Sequence, residues 1–140
     1  MAVVLNYGYR PIRIDGDSMA ETYVDGDKFL VNKVAFKFNP PERGDVVVFY
    51  DWEEDSFLVK RIIGMPYDTI EVIAGVIFIN DMPLMDEFSH LVVGKEISIN
   101  GFINRGRDVL REGEYWCIGD NRGATWFGIV REDEILGLVD

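Results

Sequence analysis

The sequence predicts a mostly β fold, built from antiparallel sheets with very little helix. Short runs rich in Val, Ile and Phe recur between turn signals, whereas the apolar spacing typical of an amphipathic helix is poor almost everywhere. The connections are short and contain Gly, Pro, Asn and Asp, which favour turns. Many short strands joined by close turns are typical of antiparallel sheets.

The turn signals divide the chain into eight predicted strands. Asp-Gly-Asp at 25–27 precedes the first strand, and Asn-Pro-Pro-Glu-Arg-Gly at 39–44 separates it from the second. Ala-Gly at 74–75 and Asn-Asp at 80–81 bound the fifth strand. Between these signals the residues are apolar and often β-branched, as strands favour. In chain order, the predicted strands are 28–36, 45–50, 56–63, 69–72, 76–79, 96–99, 114–118 and 135–139.

The rest of the chain is predicted to be irregular or briefly helical. A turn or two of helix is expected near 19–23 and near 131–134. The polar stretch at about 82–111 is expected to be an irregular insertion in a single domain that spans 1–140. The apolar start, 1–8, fits either a first strand or the outer end of a transmembrane helix that this chain lacks. No run reaches the roughly 18 apolar residues that a membrane span needs.

Composition disfavours several classes of function. The net charge of −11, with only 14 Lys and Arg residues, would repel a nucleic-acid backbone. Cys117 and His90 are the only residues of their types. A disulfide, a zinc site, and a Ser-His-Asp or Cys-His catalytic system are therefore disfavoured. We expect no metal, no cofactor and no nucleic-acid partner, and any acyl transfer would need lysine as its base.

The segment around Ser18 has two interpretations. Ser18 and Glu21 form an S-x-x-E pattern, which is typical of a capping box at the start of a helix. In the second interpretation, Gly16 lets the backbone turn so that Ser18 presents its hydroxyl at the end of a strand. The backbone N–H of Ser18 would then point at the oxygen of an incoming carbonyl.

Lys60 lies within an apolar predicted strand. Alternation places Leu58, Lys60 and Ile62 on one face and Arg61 on the other. Burial between apolar neighbours would lower the pKa of the Lys60 amine and make it available as a base. A lysine that protects a strand edge, or extends to water, is the alternative. Two adjacent cations in one apolar run are hard to explain by packing, which favours the first interpretation.

A third segment places an acid, an amide and a cation together at the end of a predicted strand. Asp120, Asn121 and Arg122 follow Gly119 there. Gly-Asp-Asn is also ordinary turn chemistry. The segment becomes informative only in combination with the other two.

In this order and spacing, the segments resemble the type I signal peptidase family. Residues 16–19 look like its nucleophile box, 43–49 like its Arg-Gly-Asp strand, 60–66 like its general-base box and 119–122 like its C-terminal box. The resemblance implies coiled antiparallel β-sheets of the signal-peptidase type. It also implies a serine endopeptidase that removes signal peptides from exported preproteins, after a small residue, on the outer face of the cytoplasmic membrane.

The resemblance further implies a role for each matching residue. Ser18 would be the nucleophile, Lys60 the general base, and Ser18 with Gly16 the oxyanion site. The residues implied to support this dyad are Thr125, Arg61, Asp120, Asn121 and Arg122. Those implied to bind the substrate as an extended strand are Ile12, Ile14, Asp15, Met19, Leu58 and Val59. The expected partners are preprotein signal peptides and the membrane surface, with an N-terminal transmembrane segment outside this chain as the anchor.

The chain departs from the family pattern at three places. Glu21 stands where the family usually has proline, and Tyr67 where it usually has glycine. The segment 123–127 is shorter than the corresponding segment of the family and lacks its acidic residue. Thr125 is therefore the only hydroxyl left there to orient Lys60. Arg61 would have to pair elsewhere, with Asp120. Two alternatives stay open: a catalytically impaired paralogue that acts in pilus or surface-protein assembly, and a LexA-type self-cleaving repressor domain.

Overall fold

Antiparallel strands dominate the computed structural model, which describes residues 8–85, 87–94, 98–123 and 125–139. Two 3-10 helices, Ala35–Lys37 and Glu132–Glu134, are the helical elements within these ranges. The strands, in chain order, are β1 (Tyr9–Arg13), β2 (Lys28–Asn32), β3 (Val46–Asp51), β4 (Ser56–Gly64), β5 (Thr69–Ile73), β6 (Val76–Ile79), β7 (Met82–Pro83), β8 (Ser98–Ile99), β9 (Phe102–Ile103), β10 (Arg105–Val109), β11 (Glu114–Ile118), β12 (Phe127–Arg131) and β13 (Ile135–Val139).

The main sheet has seven strands in the order β1-β2-β13-β3-β4-β11-β12, with every neighbouring pair antiparallel. Its centre is buried on both faces, because β3 is buried at every position from Val46 to Phe49. Val46 and Val48 pack with Met19 on one face, in a cluster that we call cluster A. Val47 and Phe49 pack with Ile62, Cys117 and their neighbours on the other face, in cluster B. A strand buried on both faces holds its neighbours in one register.

A second sheet, in the order β10-β5-β6-β7, packs against one end of the first. Ile63 and Trp116 of the main sheet join Ile70, Val72 and Ile77 of the second sheet in one buried cluster. The hairpin β8–β9 packs its Ile103 against the same cluster. This packing places residues 87–94, which precede the hairpin, beside the loop that follows β11, where Val93 N–H donates to the Arg122 carbonyl.

The predicted fold class is confirmed: the chain is mostly β, with antiparallel sheets and very little helix. Five strands escaped prediction, namely β1, β7, β9, β10 and β12. All five lie at sheet edges: β1 and β12 in the seven-stranded sheet, β7 and β10 in the four-stranded sheet, and β9 in a two-stranded hairpin. Edge strands need only one apolar face and tolerate Pro, Gly and charge, so their sequences lack the strand pattern.

Other predicted boundaries changed as well. The first predicted strand, 28–36, ends at Asn32, and Ala35–Lys37 forms a 3-10 helix instead. Residues 19–23 form turns and not the predicted helix, whereas a 3-10 helix does occur at Glu132–Glu134. Within the predicted insertion, 82–111, the described residues form β7 to β10. The single-domain division stays a prediction.

Two predictions concern residues outside the described ranges. The first is the interpretation of the apolar start as a strand or as the end of a transmembrane helix, because residues 1–7 lie outside the described ranges. The second is the predicted strand 96–99, of which the described part, Ser98–Ile99, is a strand. The two 3-10 helices of the described residues have three residues each, and neither could span a membrane.

Candidate active site

The side chains of Ser18 and Lys60 meet, although 42 positions separate them in the sequence. Lys60 Nζ lies 2.8 Å from Ser18 Oγ and 3.1 Å from the Val59 carbonyl oxygen, to which it donates. Lys60 comes from β4, and Ser18 from the turns that follow β1. A nucleophile within hydrogen-bond distance of a possible base is the arrangement that acyl transfer requires.

Ser18 is positioned by a loop whose two ends are tied together. Gly16 has φ +90°, a backbone conformation that glycine adopts readily, and its N–H donates to Asp25 Oδ1 at 2.8 Å. The carbonyl of Ser18 accepts a hydrogen bond of 2.9 Å from Asn121 N–H. Met19, only 1% exposed, inserts into cluster A and anchors the segment. The Ser18 backbone is therefore fixed from both sides.

The capping-box interpretation of Ser18 and Glu21 is wrong, because no helix follows Ser18 in residues 19–23, all of which are described. The chain instead makes two consecutive turns, closed by Ala20 N–H to Asp17 O and Tyr23 N–H to Met19 O. Glu21 is exposed at the second turn. The Ser18 hydroxyl is thus left to face Lys60.

Lys60 is buried on an apolar face of β4, with 4% of its surface exposed. Its cross-strand partner is Val47, and buried Cys117 lies near it. Desolvation by these neighbours lowers the pKa of the Lys60 amine from 10.5 to about 8. Burial also raises the pKa of the Cys117 thiol, so this neighbour is neutral near pH 7 and offers no charge to stabilise the ammonium. A substantial neutral fraction of Lys60 therefore exists at mildly alkaline pH.

Arg61, on the opposite face of β4, forms a bidentate ion pair with Asp120. Its Nε and Nη2 donate to the two carboxylate oxygens at 2.9 and 2.8 Å, and its Nη1 donates to the Gly44 carbonyl at 2.7 Å. Thr22 Oγ1 also donates to Asp120, at 2.6 Å. Burial would raise the pKa of Asp120, but the hydrogen bonds from Arg61 and Thr22 more than offset it and hold that pKa below its usual value. Asp120 therefore links β4 to the loop that carries Ser18.

Replacing Asp120 by asparagine is expected to lower the free energy of unfolding by about 2–4 kcal/mol, because it leaves the Arg61 guanidinium without its counter-charge. Both side chains of this pair are only 14% exposed. Chemical denaturation near pH 7 measures the loss. The matched control is Asp133→Asn in the Arg131–Asp133 pair, whose side chains are 67% and 73% exposed, and no measurable change is expected there. Equal effects of the two substitutions would contradict the assignment.

Thr125 does not orient Lys60 in the way the sequence predicts. Its hydroxyl donates to the Trp126 carbonyl and accepts from Gly119 N–H, both at 2.7 Å. The described group that holds the Lys60 amine, besides Ser18, is the Val59 carbonyl. Thr125 in the shortened segment therefore stabilises the turn at Gly119, and a backbone carbonyl of β4, that of Val59, accepts a hydrogen bond from the Lys60 amine.

The other two predicted support residues also act on the backbone. Asn121 Nδ2 donates to the Asp17 carbonyl at 3.0 Å. Arg122 is 5% exposed, and its guanidinium donates to three carbonyl oxygens, those of Gly119, His90 and Phe88. Arg122 thus fastens residues 88–90 to the site. Thr22 and Asp25 complete the local network through their bonds to Asp120 and to Gly16, and no role for either was predicted from the sequence.

The predicted oxyanion residues differ in what they can donate. Among the described residues, no group accepts a hydrogen bond from Ser18 N–H, so this donor is available to a ligand. The N–H of Gly16 already donates to Asp25. Gly16 therefore contributes its conformation, and Ser18 contributes the donor.

Two strand edges lie side by side next to Ser18. The pairing of β4 with β11 ends at Arg61, so within the described ranges residues 56–60 of β4 pair with β3 alone. The facing edge is β1, where the Arg10 guanidinium lies 4.8 Å above the Phe57 ring. Ile12 and Val59 pack against the same cluster A. We call the space between these edges the slot.

The backbone groups that face the slot follow from strand alternation. Ile62 exchanges hydrogen bonds with residues 44–45, so Phe57 and Val59 direct their N–H and C=O groups away from β3. On β1, Ile14 exchanges hydrogen bonds with residues 26–27, so Arg13 directs its backbone groups outward. An extended peptide could therefore add a strand here.

The predicted substrate-binding residues surround the slot at different depths. Ile14 and Met19 are 4% and 1% exposed and lie beneath the surface, whereas Asp15 is exposed. The half-buried members of the set are Ile12, Leu58 and Val59. Apolar side chains just below the surface make a shallow floor.

No group of three or more His, Cys, Asp or Glu side chains that could hold a metal ion occurs in the part of the chain that the structure describes.

Comparison with known proteins identifies relatives over nearly the whole chain. Residues 1–140 match the family model described as signal peptidase, peptidase S26. The chain is 31% identical to signal peptidase I U of Bacillus subtilis (strain 168), covering 92% of this chain and 72% of that protein. It is 32% identical to signal peptidase IB of Staphylococcus aureus (strain COL), covering 92% and 74%.

A solved structure shares the fold. The crystal structure of a signal peptidase I from Enterococcus faecalis V583 superposes with a TM-score of 0.51 at 22% sequence identity. The match covers 71% of this chain and 97% of that one. At this level of identity the likeness concerns the fold alone.

Proposed function

The chain belongs to the signal peptidase family, peptidase S26, and from this premise we propose that it removes signal peptides from preproteins with Ser18 as nucleophile and Lys60 as general base. The observation that supports the proposal is the 2.8 Å contact between Ser18 Oγ and the buried Nζ of Lys60. His90, the single histidine, is exposed, and no hydrogen bond between described residues joins its ring to a serine hydroxyl.

In the proposed reaction, Ser18 Oγ attacks the scissile carbonyl while neutral Lys60 accepts its proton. The Ser18 N–H donates to the oxyanion of the tetrahedral intermediate. The C–N bond then breaks, the Lys60 ammonium returns the proton to the leaving amine, and the signal peptide stays on Ser18 as an ester. Lys60 next accepts a proton from water, whose oxygen attacks the ester. The ester C–O bond then breaks, the Lys60 ammonium returns its proton to Ser18 Oγ, and the released carboxylic acid of the signal peptide ionises in water.

The substrate would lie in the slot as an added strand. Arg13 of β1 and Phe57 and Val59 of β4 direct backbone groups into this space, which supports pairing on both sides of an extended peptide. The shallow floor formed by Ile14 and Met19 suits a small residue such as alanine next to the cleaved bond. A bulky side chain would have to displace packed core atoms.

The other expectations from the family resemblance stay predictions. They are the membrane surface as a partner and a location on the outer face of the cytoplasmic membrane. The Ser18–Lys60 contact speaks against a catalytically impaired paralogue, because such a protein has no need to keep a buried amine against a serine hydroxyl. A self-cleaving repressor domain would be a member of a different family.

Processing of a preprotein tests the proposal directly. A preprotein with alanine before its cleavage site is expected to be cut by the unaltered protein and left intact by Ser18→Ala, as followed by gel shift and mass spectrometry. Ser89→Ala is the matched control, because Ser89 is an exposed serine outside the two strands that border the slot. If Ser18→Ala cleaves the preprotein as fast as the unaltered protein does, Ser18 is not the nucleophile.

The value of kcat/KM is expected to rise with pH and level off above an apparent pKa of about 8, the value for the buried Lys60 amine. Below this pH the amine carries a proton and cannot act as a base. Steady-state kinetics with a peptide that has no ionisable side chain, between about pH 6 and 10, give the profile. A rate that is constant across this range, or one that still rises tenfold per pH unit up to pH 10, as the ordinary lysine pKa of 10.5 would give, would contradict Lys60 as the base.

A further inference from the structure

A cavity of about 760 Å³ lies immediately beyond Ser18. Its wall begins at Ala20, two positions after Ser18, and includes Asn121, whose N–H donates to the Ser18 carbonyl. It also includes Arg61, which lies on the face of β4 opposite Lys60. The residues of the slot do not line it. The slot and the cavity therefore adjoin Ser18 from different directions.

The cations in this wall are already engaged by the protein. Arg61 is held by both oxygens of Asp120. Arg122 is buried, and its guanidinium donates to three backbone carbonyl oxygens. A ligand in the cavity therefore meets these charges partly neutralised or covered.

The acids in the wall are differently placed. Glu21 and Glu87 are exposed. Glu87 lies near enough to Arg61 to help raise the pKa of that guanidinium, but its carboxylate is not held in a hydrogen bond as that of Asp120 is. The surrounding segment, 15–27, contains five Asp or Glu residues and no Lys or Arg. The field at the cavity mouth is therefore negative.

We propose that this cavity receives the first residues of the mature chain, the part released after cleavage, and that Glu21 and Glu87 favour a Lys or Arg among them. The inference rests on the proposed function. With the signal-peptide side of the substrate in the slot and its carbonyl at Ser18, the leaving side must continue beyond Ser18, and the cavity is the concave space that begins there. The cation would meet the exposed carboxylates of Glu21 and Glu87, both of which line the cavity.

The expected preference is moderate and sensitive to salt. Two exposed carboxylates would attract a Lys side chain of the substrate and repel a Glu side chain. We expect kcat/KM for a Lys substrate to exceed that for a Glu substrate by about tenfold at low ionic strength. Screening should reduce the ratio to about twofold near 0.5 M salt. Preferences that come from side-chain size would not change in this way.

The experiment uses three peptides that differ only in the second residue after the cleavage site, which is Lys, Gln or Glu. For each peptide, kcat/KM is measured with the unaltered protein, with Glu21→Gln, with Glu87→Gln and with the double variant. The control is Glu112→Gln, an exposed glutamate before β11 and outside the cavity wall. In parallel, calorimetry gives the affinities of the same peptides for Ser18→Ala, with and without the two glutamate substitutions.

The result expected is a Lys-to-Glu ratio of about tenfold that falls below about twofold in the double variant and is unchanged in Glu112→Gln. The same ordering is expected for binding to Ser18→Ala. If all three peptides behave alike in both assays, or if the ratio survives the double substitution, the inference is overturned. If the unaltered protein binds with the Lys preference but cuts no peptide, the cavity assignment stands and the proposed function fails.

Discussion

Replacing Lys60 by methionine is expected to lower kcat by about 10³-fold or more while leaving the fold intact. Methionine has a similar length and suits the apolar face of β4, so the packing around Val47 is kept. Only the amine 2.8 Å from Ser18 Oγ is lost. The kcat is measured with saturating substrate, and circular dichroism checks the fold. A variant that retains more than about a tenth of the activity would show that another group acts as the base.

The same substitution should also stabilise the protein, in a pH-dependent way. The pKa of Lys60 is lowered to about 8 in the folded state, so below pH 8 the buried ammonium costs stability. Between pH 8 and 10.5 the unfolded chain binds the extra proton, and the stability of the unaltered protein rises with pH.

We therefore expect Lys60→Met to gain about 1–3 kcal/mol at pH 7 and to lose this advantage towards pH 10.5. Urea denaturation at several pH values measures the difference. Lys28→Met, at an exposed lysine, is the control and should show no such trend. A Lys60→Met protein that is less stable than the unaltered one at pH 7 would contradict the desolvation argument.

Replacing Gly119 by alanine is expected to lower kcat/KM by about 10²-fold and the free energy of unfolding by about 2–4 kcal/mol. A Cβ atom there would overlap with both the Ser18 carbonyl oxygen and Thr125 Oγ1. Because Asn121 N–H holds the Ser18 carbonyl, relief would have to move the backbone that carries the nucleophile. Steady-state kinetics and denaturation measure the two effects.

Gly123→Ala is the matched control for this substitution. It lies in the same loop, and among the described residues beyond its chain neighbours its added Cβ would meet only Asn121 Oδ1, at 3.9 Å. Activity close to that of the unaltered protein is expected. If both alanine variants lose activity equally, the loop is sensitive to any substitution, and the close contact at Gly119 is not the cause.

The central strands and the dyad were accessible from the sequence, because their signals are strong and local. The runs that became β3, β4 and β11 are apolar at most positions, and the match of their predicted and observed bounds reflects burial on both faces. Lys60 stood out because an amine between Leu58 and Ile62 conflicts with such burial. A residue that breaks its local pattern is a good candidate for function.

Contacts made by the backbone were not accessible in this way. The sequence pointed to Thr125 as the group that orients Lys60, whereas the Val59 carbonyl holds the amine. A carbonyl oxygen is present at every position, so no pattern of side chains can indicate which one is used. The same holds for the carbonyl oxygens that bind Arg122. These partners are determined by tertiary packing.

The open edge of β1 also limits what else can occupy the slot. Any exposed strand edge could pair with the same edge of a second copy of the chain. Pro11 has no N–H to donate, and Arg10 and Arg13 would face the same cations of the other copy. A substrate peptide that carries no cations at these positions would not be repelled by Arg10 and Arg13. The edge of β1 can therefore pair with a short substrate strand but disfavours pairing with a second copy of the chain. The protein can thus keep this edge unpaired in water without aggregating through it.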